Sequence, residues 1–263
     1  RGRPDCELRT GRSLTELVHE RGPLTVAAFM DLALYHPTFG YYAGAPQRSG
    51  RAGDFFTSVD VGPLFGQLIA VQVAEMAAIL DAQHVGGRFD LVEAGAGNGR
   101  LAADLLRGLR RLSPQTYSNT RLHLVEAGAA ARSVQTETLA DVADRLVSSS
   151  PDLPASFEGV LIANELLDAM PVHQVVMRPS GLREVFVESG SEGLVRTEGP
   201  LSRPEIGEYF RPLGVELQPG WRAEVGLAAA AWVRQAARGL TRGFLVFVDY
   251  GHEARGLYSA AHS

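Results

Sequence analysis

Four short apolar runs constrain this chain more than any other feature. They are RFDLVEA, RLHLVEA, EGVLIANE and GFLVFVDYG, at residues 88–94, 121–127, 158–165 and 243–251. Each is about as long as a strand, and stretches of helical length separate them. That alternation indicates βα units and an α/β fold with a mainly parallel sheet. Between the last two runs lies HQVVMRPSGLREVFVESGSEGLVRTEG. Its Pro-Ser-Gly and Ser-Gly-Ser turns predict antiparallel strands inserted into the α/β pattern. RAEVGLAAAAWVRQAARGL then reads as one amphipathic helix ending near Gly239 or Gly243. Upstream, residues 13–34 predict two short helices. Ser13 and Glu16 make a capping box for the first, and Pro23 and Thr25 start the second. Pro63 opens a helix running to about residue 80.

The first run ends in a glycine turn and leads into a helix: DLVEAGAGNGRLAADLL, residues 90–106. Gly95, Gly97 and Gly99 read G-x-G-x-G. A dinucleotide fingerprint would place its third glycine at position 100, which is Arg100. Glu93 stands two residues before the first glycine. A carboxylate there repels a pyrophosphate but can engage an ammonium group. Glu126 ends the next strand, where an acid can accept hydrogen bonds from both hydroxyls of a ribose. Glycines, helix N-terminus and two acids together fit S-adenosylmethionine, which has no phosphate, better than NAD.

The third run ends in IANELLDAMPVHQ. Asn164, Glu165 and Asp168 fall at the C-terminal edge of the sheet, where such folds place the reacting group. The same residues also suit a helix start, with Asn164 as cap and the acids in the first turn. Two carboxylates facing a sulfonium suit a cationic acceptor such as a guanidinium, and either can take its proton.

Composition excludes several classes. Apolar residues make up 45% and charged residues 21% of 263, and the formal charge is −5, which argues against a dedicated nucleic-acid binder. No lysine occurs while Ala, Gly and Arg abound, a bias that the codon usage of a GC-rich genome explains without function. Cys6 is the single cysteine, so no internal disulfide framework and no cysteine-rich zinc site can form. The most apolar helical stretch, LFGQLIAVQVAEMAAIL, is interrupted by Gln67, Gln72 and Glu75 and does not read as a membrane span. RGRPDCELRTGR lacks the apolar stretch of a signal peptide.

The blocks DLALYHPTFGYYAG, GRAGDFFTSVDVGPLFGQLIA, LVEAGAGNGRLAADLLR, IANELLDAMPVHQ, GWRAEVGLAAAAW and FVDYG occur in this order. Together they resemble the MidA family of S-adenosylmethionine-dependent methyltransferases over about residues 14–258. The resemblance implies a class I methyltransferase, Rossmann-like fold with an N-terminal helical segment and an inserted antiparallel hairpin region. It implies S-adenosylmethionine as cofactor, no metal, and a protein substrate with an arginine acceptor. Mitochondrial members of the family support assembly of respiratory complex I. The compartment it implies is the bacterial cytoplasm, or the mitochondrion for a eukaryotic chain. By the same resemblance Gly53, Asp54, Phe55, Thr57 and Ser58 fold over the cofactor. Tyr35, His36, Tyr41 and Tyr42 shape the substrate side, Glu224 opens the late helix, and Asp249, Tyr250 and Gly251 end a strand at the same edge. Two departures stand out. Ala96 replaces the proline common in the glycine turn, and family members continue past the segment that ends here at Ser263, which implies further residues.

The expected organisation is N-terminal helices and a lid loop over 1–80, a donor-binding core over 81–170, a hairpin and helical substrate region over 171–240, and a return strand with tail over 241–263. The leading functional expectation is a protein-arginine methyltransferase, with Asn164, Glu165 and Asp168 at the reacting centre. The rivals are a small-molecule methyltransferase, a non-catalytic assembly factor that keeps the fold, and, more remotely, a dehydrogenase.

Overall fold

Residues Phe89–Ala94 are buried at every position, as expected of a strand with neighbours on both edges and helices over both faces. In the computed structural model, which describes residues 14–38, 40–42, 58–81 and 88–260, this strand is the middle of a parallel sheet. The described elements begin with α1 (Leu14–Arg21), β1 (Leu24–Thr25), α2 (Val26–Tyr35), α3 (Ser58–Val61) and α4 (Leu64–Asp81). There follow β2 (Phe89–Ala94), α5 (Arg100–Leu112), α6 (Pro114–Asn119), β3 (Thr120–Val125), α7 (Ala129–Leu139) and β4 (Leu146–Ser150). Next come β5 (Phe157–Asn164), β6 (His173–Arg178), β7 (Gly181–Gly190), β8 (Gly193–Gly199) and α8 (Pro204–Glu208). The last are β9 (Arg222–Val225), α9 (Leu227–Gly239), β10 (Leu240–Val248) and α10 (Ala254–Leu257).

The chain divides into two units. Unit 1 comprises Arg1–Tyr41, Leu167–Trp232 and Tyr250–Ser263; unit 2 comprises Tyr42–Leu166 and Val233–Asp249. In unit 2 the strand order is β10-β5-β2-β3-β4, and every pair is parallel. One face of this sheet, with Leu91, Leu122, Leu124, Val160 and Ile162, packs on α4 and α5 through Ala70, Val73, Leu101, Leu105 and Leu109. The α/β reading and the four apolar runs are borne out. The strand LVSSS (β4) carries no such signal, because serines take positions that would otherwise alternate as apolar.

Unit 1 holds an antiparallel sheet, β1-β7-β6-β9, with β8 also on β7. The inserted hairpins are therefore present. One face packs Val175, Ala223 and Val225 against Ile206 and Phe210; the other packs Val185 and Val187 against Val26, Phe29 and Met30. Buried Glu184 accepts from the Ser202 backbone N–H and lies 2.7 Å from His173 Nδ1. Thr25 caps α2 by accepting from the Ala28 N–H, as its sequence position predicts.

Two expectations need correction. RAEVGLAAAAWVRQAARGL is not one helix: Arg222–Val225 pairs antiparallel with β6, and the helix starts at Leu227. Residues 222–225 alternate exposed and buried, so the period of two wins over the helical reading. Glu224 accordingly lies on a strand, not at the head of the late helix. Residues 165–170, in turn, form bends and turns rather than a helix, so the helix-cap reading of Asn164, Glu165 and Asp168 fails. No described helix is long and apolar enough to cross a membrane.

Candidate functional site

The glycine turn in unit 2 is built by backbone geometry that side chains resist. Gly95, Gly97 and Gly99 all have positive φ, at 71°, 51° and 86°. A Cβ on Gly97 would meet nothing within 4 Å, so its glycine serves the backbone conformation rather than close packing. The turn is pinned from the neighbouring strand. Gly95 N–H and Ala96 N–H both donate to Val125 C=O, at 2.9 and 3.1 Å.

Two side chains hold it further. Glu126 Oε2 accepts from Gly97 N–H at 2.9 Å, and Oε1 accepts from Gly128 N–H at 2.7 Å. Gln135, fully buried on α7, donates to Gly97 C=O at 2.7 Å and accepts from Ser149 Oγ. The Gln135 contact had no signal in the sequence, because a polar residue inside a helix normally faces water. The bracing by Glu126 was equally invisible, since backbone N–H groups have no sequence mark. A carboxylate oxygen can accept two hydrogen bonds, so Glu126, with one on each oxygen, retains capacity for ribose hydroxyls.

Beneath the turn are two buried polar atoms with no hydrogen-bond partner: Glu93 Oε2 and Asn164 Oδ1. Glu93 pairs in register with Ile162 on β5, and Asn164 lies two residues further along that strand. Parallel partners share a face and alternate residues return to it, so Glu93 and Asn164 project from the same side of the sheet. Burial pushes the Glu93 carboxyl up to about 8; a hydrogen bond with the Ala102 backbone opposes this and nearby Glu126 adds to it. Buried polar atoms are nearly always satisfied, so two exceptions on one sheet face make this a candidate ligand site.

Glu165 follows Asn164 with φ +47°, in the left-handed region that non-glycine residues rarely occupy, and its N–H donates to Val248 C=O at 2.8 Å. Strain of this kind clusters at functional positions. Asp168 lies in unit 1, exposed, and accepts from the Tyr250 hydroxyl at 2.7 Å. In the same unit the Tyr35 hydroxyl donates to Ala169 C=O, and His36 Nδ1 accepts from Thr38 N–H. Tyr42 belongs to unit 2, where its carbonyl lies against Gly128. Glu224 accepts from Gln174 Nε2 on β6, Asp249 follows β10, and Gly251 lies beyond it in unit 1. Gly53, Asp54, Phe55 and Thr57 lie outside the described residues, and of Ser58 only its place at the start of α3 is described. Among the described residues no group of three or more His, Cys, Asp or Glu side chains could hold a metal ion.

Comparison with known proteins agrees with this geometry. Residues 68–263 match the model of a family described as S-adenosyl-L-methionine-dependent methyltransferase. The chain is 31% identical to a mouse protein named protein arginine methyltransferase NDUFAF7, mitochondrial, covering 92% of this chain and 60% of that one. It is 30% identical to the Caenorhabditis elegans homologue, with 91% and 61% covered. This chain therefore spans about three fifths of the length of these relatives. A COG1565 superfamily member from Burkholderia thailandensis, solved bound to S-adenosyl-homocysteine, superposes with a TM-score of 0.81 at 32% identity, covering 94% of this chain and 65% of that one. The fold is that of the class I methyltransferases. The chain belongs to the S-adenosyl-L-methionine-dependent methyltransferase family, the MidA family that its motifs resemble.

Proposed function

We propose that the chain binds S-adenosylmethionine in unit 2 and is part of an enzyme that methylates an arginine side chain of a partner protein. One observation carries the donor assignment: Glu93 Oε2 and Asn164 Oδ1 are buried, unpartnered and on one face below the glycine turn. A ligand with an ammonium group satisfies a carboxylate and an amide oxygen together, whereas a pyrophosphate would be repelled. The donor supplies an electrophilic methyl group on a sulfonium. Glu126 takes the ribose hydroxyls on the lone pairs left over from Gly97 and Gly128. Glu165, at the end of β5, orients the guanidinium and accepts its proton. Asp168, held by Tyr250, is the second carboxylate assigned to the acceptor, and Gly53, Asp54, Phe55, Thr57 and Ser58 are assigned to cover the donor. The arginine acceptor and the protein partner are supported by the names of the relatives at about 30% identity.

Calorimetry with S-adenosyl-homocysteine and with NAD tests the donor assignment. Binding of the former with little or none of the latter is expected, and tight NAD binding would overturn it. Glu126→Ala is expected to weaken donor binding by roughly 1–3 kcal/mol, through a lost ribose acceptor and a loosened turn. Wild-type affinity in that variant would remove Glu126 from the site. Mass spectrometry of a deletion-strain lysate, before and after adding protein and labelled donor, identifies the acceptor. Label on a small molecule alone would sink the arginine reading.

A further inference from the structure

Glu224 stands out in the sequence block GWRAEV, and it belongs to unit 1, whereas the glycine turn belongs to unit 2. It lines a cavity of about 400 Å³ in unit 1, together with Arg222, Gln174, Val185, Arg196 and Glu198. These side chains share one face of the antiparallel sheet. Glu224 pairs in register with Gln174, and Val185 pairs with Glu198. Val175 pairs with Glu184, so Gln174 and Val185, one residue away on each strand, both point to the opposite side from that pair. Arg222-Ala223-Glu224 on β9 and Arg196-Thr197-Glu198 on β8 thus each present an arginine and a glutamate to the same cavity.

The charges do not cancel. Glu198 is held by Arg178 through two hydrogen bonds, from Nε and Nη2, and Glu224 is held by Gln174. The Arg178 guanidinium holds the Glu198 carboxyl below its ordinary range, and Arg222 and Arg183 add to this at longer range. Arg196 and Arg222 form no ion pair and no side-chain hydrogen bond among the described residues. The cavity itself is lined by Arg196 and Arg222 against Glu198 and Glu224, and by register Arg178 and Arg183 stand on the same sheet face, so that face carries four guanidiniums and two carboxylates on a chain whose net charge is −5. A merely solvated sheet face would be open, whereas this one encloses the cavity of about 400 Å³.

We propose that this cavity docks an acidic, extended segment of the acceptor protein, whose carboxylates meet Arg196 and Arg222. That the segment belongs to the acceptor rests on the function proposed above; its acidity follows from the unpaired guanidiniums. Guanidinium–carboxylate pairing is planar and bidentate, which suits recognition of glutamate or aspartate side chains. Glu224 limits the site, because it repels a carboxylate placed next to Arg222.

The test is fluorescence anisotropy on the full chain without methyl donor, using a labelled oligoglutamate peptide. An oligoglutamine peptide and a single-stranded oligonucleotide of matched charge serve as comparators. The glutamate peptide is expected to bind, more weakly as salt rises, and the glutamine peptide not to bind. Arg196→Gln and Arg222→Gln should each weaken binding about two- to fivefold, the range of an exposed ion pair. Glu224→Gln should tighten it by a similar factor. A purely structural role cannot move these variants in opposite directions. Equal binding of both peptides, or unchanged affinity in both arginine variants, would overturn the proposal. Tighter binding of the oligonucleotide would make the face a nucleic-acid surface instead. Because the donor is left out, failure here leaves the calorimetric test of the donor site standing, and the reverse holds too.

Discussion

Donor affinity should rise with pH, by up to about tenfold per unit between about pH 6 and 8, and Glu93→Gln should abolish that slope. In the donor-free protein, burial holds the Glu93 carboxyl near 8, well above its ordinary 4.5, so it is mostly protonated at neutral pH. An ammonium group beside Oε2 favours the carboxylate, so binding expels a proton. Above about pH 8 the carboxyl is already ionised in the free protein, and the slope ends. Stability moves the other way. Between 4.5 and about 8 the unfolded chain gives up this proton while the folded chain keeps it. Donor-free stability therefore falls as pH rises through that window, at most about 1.4 kcal/mol per unit, and levels off above it. Glutamine lacks both slopes. Near pH 8 the variant should also bind donor about 10- to 100-fold more weakly, having lost a charged hydrogen bond. Calorimetry of S-adenosyl-homocysteine across pH, in buffers of different ionisation enthalpy, reads proton release directly. Equal release by wild type and Glu93→Gln would refute the assignment.

Glu165→Gln should leave donor affinity and melting temperature near wild type, while methyl transfer falls by roughly 100-fold or more. The amide keeps the shape and loses the proton acceptor. No helix follows Asn164, so no helix-dipole contribution to stability is at stake in this change. Glu165→Gly is a useful companion. It relieves the strain of φ +47°, about 1 kcal/mol, and adds chain entropy to the unfolded state of about the same size. Stability should stay nearly level while transfer is lost. Transfer is measured with labelled donor and the deletion-strain lysate. Retained transfer in both variants would remove Glu165 from the chemistry, and weaker donor binding in Glu165→Gln would place it on the donor instead.

The parallel sheet was legible because its inner strands are apolar on both faces, and Glu93 and Glu126 were legible because they end such strands. What failed was local ambiguity. Asn, Glu and Asp suit a helix start and a tight turn equally well, and only the pairing of Glu165 N–H with Val248 decides for the turn. RAEV followed by an alanine-rich stretch reads as helix until β6 offers it a partner strand. Gln135 stayed hidden because its partner is a backbone carbonyl, which every residue possesses. The lack of a donor at Asn164 Oδ1 is likewise a property of three-dimensional packing, not of composition.

The bracing of the glycine turn has a kinetic consequence. Val125, Glu126 and Gln135 fix the turn through hydrogen bonds that the protein itself supplies. Its ordering entropy is therefore spent during folding rather than at encounter. Association with the turn needs no slow rearrangement of that segment, so differences in donor affinity among variants of Glu93 and Asn164 belong mainly to the dissociation rate. Loosening the turn through Gln135 moves the ordering step back to the moment of encounter, and there the association rate slows as well.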